Sequence, residues 1–170
     1  MNMNYSSLNY FEQLLDNSVL AWGLFSCGIA QILKIFFELI LNQKWRPLIL
    51  FETGGMPSSH SALVTGTAAG LGWELGFDHP GFALAVAIAF IVMYDASGIR
   101  RASGLTAARV NLLSDSIWDD PPKSDLKETL GHTRLEVLIG SLLGPIVSLP
   151  GIVFIGSPLH IANMLGLNFG

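Results

Sequence analysis

Charge is scarce in this sequence. Only 13% of its 170 residues are Asp, Glu, Lys or Arg, against 51% hydrophobic residues and a mean hydropathy of +0.50. Soluble domains carry about 25% charged residues, so that balance excludes an ordinary water-surrounded fold. Cysteine is almost missing too. The single Cys27 lies within an apolar stretch, which rules out an intramolecular disulfide and a cysteine zinc cluster and leaves it as a small buried hydrophobe. The first eighteen residues hold Glu12 and Asp16 but no Lys or Arg, so the basic start of a signal peptide is not expected. Internal repeats and low-complexity tracts are lacking. The formal net charge of -4 argues against a nucleic-acid partner, although the placement of each sign matters more than the sum.

Long apolar runs are what the sequence does have, at 19–41, 61–77, 81–94 and 137–154. A helix needs about 20 apolar residues to cross the hydrocarbon core, so the first and fourth suffice unaided. The middle two reach that length by borrowing polar flanks, as 57–77 and 81–101, and then form a hairpin turning at Asp78-His79-Pro80. The tail at 152–167 is interrupted by Gly156, Pro158 and His160, which leaves a fifth crossing open. The expectation is an all-α, multi-span membrane bundle of four to five transmembrane helices in a single membrane domain. Its bundle covers 18–170, its N-terminal tail 1–17 and its solvated loop 112–126.

With alternating helices, segments 42–56 and 97–134 share one side of the membrane. All nine Lys and Arg residues lie there, except Lys34, which precedes the first segment by about two turns. The positive-inside rule makes that face cytoplasmic, or stromal in a plastid, with the N-terminus outside. His60, Asp95, His132 and Glu136 fall on the same face. Intramembrane charge is expensive and persists where it pairs or works. Lipid-headgroup anchoring explains basic residues alone, but not two histidines among them.

Three motifs carry chemistry. In Thr53-Gly54-Gly55-Met56-Pro57-Ser58-Ser59-His60, the glycines allow close backbone approach, Pro57 suits a first helical position, and Ser58 or Ser59 can satisfy free amides. A helix start of that kind favours anions, and an ordinary capped helix is the alternative. His60 suits a general acid that is protonated once a phosphate is bound. In the second motif, His132 and Glu136 stand four apart on one helix face, so the carboxylate can hold one ring nitrogen and present the other as a nucleophile. The third is Tyr94-Asp95-Ala96-Ser97-Gly98-Ile99-Arg100-Arg101. Adjacent arginines point to different faces, so one of Arg100 and Arg101 is expected at the site, with Asp95 orienting it or forming a plain ion pair.

These residues resemble the type 2 phosphatidic acid phosphatase superfamily, which includes lipid phosphatases and vanadium haloperoxidases. Its pattern runs Lys, six residues, Arg-Pro, then Pro-Ser-Gly-His, then Ser-Arg, five residues, His, three residues and Asp. Arg46-Pro47 matches the end of the first motif, with Leu39 at the Lys position and Lys34 or Lys44 as substitutes. Pro57-Ser58-Ser59-His60 matches the second with Ser for Gly. His132 and Glu136 match the third with Glu for Asp, while Asp125 and Leu126 occupy the Ser-Arg positions and leave Lys127 to supply the charge. The chain looks like the divergent group of acid phosphatase/vanadium-dependent haloperoxidase-related membrane proteins, across roughly residues 33–144.

The resemblance implies a membrane phosphatase that hydrolyses a lipid-linked phosphomonoester or pyrophosphate through a phosphohistidine. His132 is the nucleophile, Glu136 its support and His60 the acid. Lys34, Arg46, Ser58, Ser59, Arg100, Arg101 and Lys127 bind phosphate, with Gly54, Gly55 and Asp95 supporting. Phosphatidylglycerophosphate is the first candidate substrate. Partners are membrane lipid and the lipid phosphate, not nucleic acid. No cofactor is required and no dedicated metal site is implied, although Asp95, Glu52 and Glu136 leave room for magnesium. The competing expectation is a non-catalytic headgroup-binding or structural protein, consistent with the altered basic positions.

The topology is testable by cysteine-accessibility labelling in a Cys27→Ser background. Positions 46, 101 and 127 should label from the cytoplasmic side and positions 12 and 79 from the other. Labelling of 79 and 127 from one side would contradict the arrangement.

Overall fold

The computed structural model describes residues 9–43, 45, 47–51, 54–113 and 124–167, and no strand occurs among them. Among the described residues seven α-helices follow one another: α1 (Tyr10–Leu15), α2 (Ser18–Asn42), α3 (Ser59–Leu75), α4 (Pro80–Ser97), α5 (Ile99–Asn111), α6 (Arg134–Pro150) and α7 (Pro158–Met164). A 3-10 segment, Pro47–Phe51, precedes α3, and a π-helical turn, Gly151–Ile155, follows α6.

Local chemistry sets the boundaries. The Asn17 side chain accepts from the Leu20 N–H to start α2, and Ser58 does the same for Ser61 at α3. Pro57 therefore precedes the cap instead of holding the first helical position. At the hairpin His79 caps α4 and Pro80 occupies its first turn, where a missing N–H costs nothing. α4 gives way to α5 at Gly98. Polar and amphipathic, α5 lies between the expected helix 81–101 and the expected loop 112–126, and its apolar content is too low for a hydropathy reading to register it as a separate helix. Of the expected loop 112–126, residues 114–123 lie outside the described residues, while the expected N-terminal tail holds α1, closed by an Asn9/Glu12 capping box.

Small residues are inside and large apolar ones outside. Among the described residues the buried apolar set is mostly alanine, whereas Phe36, Phe90, Ile91, Leu142 and Ile146 are exposed. That inversion suits lipid, which supplies no hydrophobic drive between helices and leaves close packing and hydrogen bonds to join them. Among the described residues three helical segments are long and apolar enough to cross a membrane: Ser18–Ile40, Pro80–Asn111 and Arg134–Met164. α3 is shorter, at 17 residues, and rises about 26 Å against a hydrocarbon core of about 30 Å.

α3 is the centre of the bundle and packs against α2, α4 and α6. Gly66 and Gly70 on α3, and Gly140 and Gly144 on α6, repeat at four-residue spacing, the arrangement that lets backbones touch. A methyl group at Gly144 would lie 2.4 Å from the Ala62 carbonyl oxygen and 2.6 Å from the Gly66 nitrogen, and one at Gly140 would lie 2.3 Å from the Ser58 carbonyl oxygen. Hydroxyls add hydrogen bonds between helices: Ser148 Oγ donates to the Gly66 carbonyl at 3.1 Å and Ser26 Oγ to the Gly144 carbonyl at 3.3 Å. The end remote from His60 and His132 is clasped by Ser18 to Glu74, Ser157 to Asp16 at 2.8 Å, and Trp22 Nε1 to the Gly156 carbonyl at 2.8 Å.

Replacing Gly144 with Ala should destabilise the protein by about 1–3 kcal/mol, lowering the thermal midpoint in detergent by several degrees. Gly28→Ala is the control, since nothing lies within 4 Å of that position, and it should hold or raise the midpoint. Equal midpoints for the two variants would refute close α3–α6 contact.

Candidate active site

Three loop and helix-end segments meet at one end of the bundle. The Ser58 N–H donates to the Glu136 carbonyl at 3.1 Å, which ties the start of α3 to the start of α6. The His132 N–H donates to the Ala96 carbonyl at 2.9 Å, which ties the approach to α6 to the end of α4. Gly131, at φ +77°, seats its backbone on the Arg100–Arg101 peptide, so closely that a Cβ would fall 2.3 Å from the Arg101 nitrogen. Gly104 receives the Glu128 and Leu130 carbonyls in the same way. The chemistry-bearing motifs are therefore joined through backbone, which holds their side chains in a fixed relation.

His132 lies just before α6 rather than on it. Thr133 is the cap, its hydroxyl accepting from the Glu136 N–H while Glu136 Oε2 accepts from the Thr133 N–H at 3.0 Å. The same carboxylate oxygen lies 3.1 Å from His132 Nδ1. The contact expected from a shared helix face thus arises from a capping box that turns the carboxylate back over the helix start. His132 is only 3% exposed, and its Nε2 is buried with no hydrogen-bond partner among the described residues. A buried polar atom without a partner is costly, by about 1–3 kcal/mol, and calls for an explanation.

His132, Thr133 and Glu136 line a cavity of about 440 Å³ with Arg101, Gly54 and Gly55. His60, exposed in the first turn of α3, has Arg100, His132 and Lys34 within Coulombic range. Arg100 is held by Asp95, which accepts from its Nε. The two arginines are divided: Arg100 pairs with Asp95 within Coulombic range of His60, and Arg101 lines the His132 cavity. Lys34 is the largest fully enclosed side chain among the described residues, at 1% exposure. A lysine so placed needs compensating partners or anionic ligand, because the membrane interior does not solvate it.

Other expected residues fall elsewhere. Ser58 and Ser59 are buried: the Ser58 hydroxyl accepts from the Ser61 N–H and hydroxyl, and Ser59 meets the Cys27 thiol. Lys127 lines a separate cavity across α5 with Ile99 and Ser103. Arg46 and Glu52 lie outside the described residues. Among the described residues no three His, Cys, Asp or Glu side chains gather as a metal site. Thr133 was missed by sequence reasoning, although Thr-x-x-Glu before an apolar run is a readable capping signature.

A family model described as the divergent PAP2 family matches residues 15–147. The uncharacterized membrane protein YuiD of Bacillus subtilis (strain 168) is 36% identical over 150 residues, covering 81% of this chain and 95% of that protein. No solved structure matches the chain.

Glu136→Ala should remove the carboxylate half of the capping box, leaving the Thr133 N–H and buried His132 Nδ1 without that partner, and destabilise the protein by roughly 2 kcal/mol. Glu136→Gln should recover about half of that, because a glutamine oxygen still completes a capping box. Thermal unfolding in detergent checks both, and equal loss in the two variants would contradict the cap geometry.

Proposed function

Because the chain belongs to the divergent PAP2 family, we propose that it is a multi-pass membrane phosphatase acting on a lipid-linked phosphomonoester or pyrophosphate. One observation carries the reading: a buried histidine whose Nδ1 faces a carboxylate and whose Nε2, beside a cavity edged by Arg101, has no partner among the described residues. That is the arrangement of an activated nitrogen nucleophile oriented by a third group.

His132 Nε2 forms a bond to phosphorus as the bond from phosphorus to the ester oxygen breaks. Glu136 offsets the positive charge that develops on the ring. His60 gives its proton to the departing alkoxide, so a neutral alcohol leaves. It then takes a proton from the water that cleaves the phosphohistidine, and inorganic phosphate departs with His132 restored. Lys34, Arg100 and Arg101 neutralise the equatorial oxygens, where phosphoryl-transfer catalysis chiefly resides, a role that the superfamily resemblance also gives Arg46. No cation is needed for these steps. The site face is cytoplasmic, α3 supplies a fourth crossing, and phosphatidylglycerophosphate is the first substrate to assay.

The non-catalytic reading draws on Leu39, Asp125 and Leu126 at positions where the wider superfamily has basic or hydroxyl residues. Two substitutions separate the readings. His132→Ala should abolish phosphate release yet leave lipid phosphate binding largely intact. His60→Ala should slow a poor alkyl leaving group by about 10² to 10⁴ and an activated aryl phosphate far less. Wild-type protein with no turnover, and equal modest losses of lipid affinity in both variants, would favour the binder.

A further inference from the structure

A second cavity, of about 230 Å³, lies between α3 and α4 and is lined by Leu63, Val64 and Leu71 on one side and Leu84, Ala85 and Ile88 on the other. Its placement follows from helical spacing. Leu63, Val64 and Leu71 stand three, four and eleven residues after His60, so at 3.6 residues per turn they continue the stripe that His60 begins. Ile88 and Leu84 stand seven and eleven residues before Asp95, so they share its face of α4. The groove therefore has an ionic head and an apolar body. At the head are His60 and the Asp95–Arg100 pair, with Arg100 in Coulombic range of His60. The body runs about 12 Å down α3, from Leu63 to Leu71, alongside a helix apolar enough to cross the membrane.

We infer that this groove holds the hydrocarbon chain of the lipid phosphate substrate, entering sideways from the bilayer and presenting its phosphate past His60 and Arg100. The inference rests on the phosphatase reading above and adds a direction to it. In-line displacement puts nucleophile and leaving oxygen on opposite sides of phosphorus. His132 opens onto the cavity edged by Arg101 on one side, so the alcohol that leaves, and the chain attached to it, belong on the His60 side, where the groove begins. The donors at its head, the Arg100 guanidinium held by Asp95 and the His60 ring, suit the phosphate oxygens of an anionic headgroup. Arg100 is thereby a headgroup residue and Arg101 a residue of the nucleophile's cavity.

Photolabelling of the full-length protein in phosphatidylcholine nanodiscs tests this. One probe is phosphatidic acid with a diazirine in its acyl chain, and the other is phosphatidylcholine with the same chain. The phosphatidic acid probe should label α3 and α4 at Leu63, Leu71, Leu84 or Ile88, and excess unlabelled phosphatidic acid should displace it. Ala85→Trp, which fills the groove, should reduce that labelling about tenfold, equivalent to 1.4 kcal/mol of affinity. Leu84→Trp repeats the block from a side chain that is already 63% exposed, where burial is not disturbed. Equal labelling by both probes, labels spread over the lipid faces of α2 and α6, or a groove closed to both probes by a second copy of the chain would each overturn the inference. Groove labelling without any phosphate release would sink the phosphatase reading and spare the groove, and hydrolysis with labels elsewhere would do the reverse.

Discussion

Where Gly140 and Gly144 of α6 face Ser58 at the cap of α3 and Ala62 and Gly66 within it, backbone meets backbone, with only the short Ser58 and Thr65 side chains beside the contact. In lipid that closeness is the main source of attraction, because apolar surface gains nothing by leaving one hydrocarbon environment for another. The contact also fixes the chemistry. It brings the Ser58 N–H to the Glu136 carbonyl, so the first turn of α3, carrying His60, is set against the first turn of α6, carrying Glu136. A wider helix separation would break that bond and move the two histidines apart.

From that junction the site is built outward through backbone contacts. The Ala96 carbonyl takes the His132 N–H, and Gly131 and Gly104 admit the 128–132 segment against α5. The side chains left over are polar groups that a bundle of this kind would otherwise exclude: an enclosed lysine, a buried imidazole with one nitrogen unpartnered among the described residues, and two arginines assigned to different histidines. The charges of the lysine and the arginines are costly in a lipid interior and suit a phosphate, with Asp95 beside Arg100 and Glu136 beside the imidazole.

Short-range signals were legible in the sequence. Pro80 after His79 marked the hairpin, the Pro57-Ser58-Ser59 stretch marked the start of α3 to within a residue or two, and the apolar runs marked the helices that form the membrane-facing surface, because caps and hydropathy act within a few residues. Amphipathic α5 escaped because its arginines and serine dilute its apolar positions. The four-residue spacing of Gly66 with Gly70 and of Gly140 with Gly144 was present to be read and would have named the α3–α6 pair. The division of Arg100 from Arg101, and the placement of Lys127 across α5, depend on the break at Gly98 and the seat of the 128–132 loop, which no local pattern encodes. Likewise the His132–Glu136 contact was foreseen, but from helix periodicity, whereas a cap produces it.

The claim that matters most is that a phosphoryl group passes through His132. It is tested by mixing full-length protein with a phosphatidic acid, quenching within a turnover under non-acidic conditions that preserve phosphohistidine, and mapping phosphorylation by mass spectrometry. The account predicts one modified residue, His132, appearing before free phosphate and decaying as phosphate is released. Sustained phosphate release with no phosphorylated residue, or with the phosphoryl group on another side chain, would contradict it.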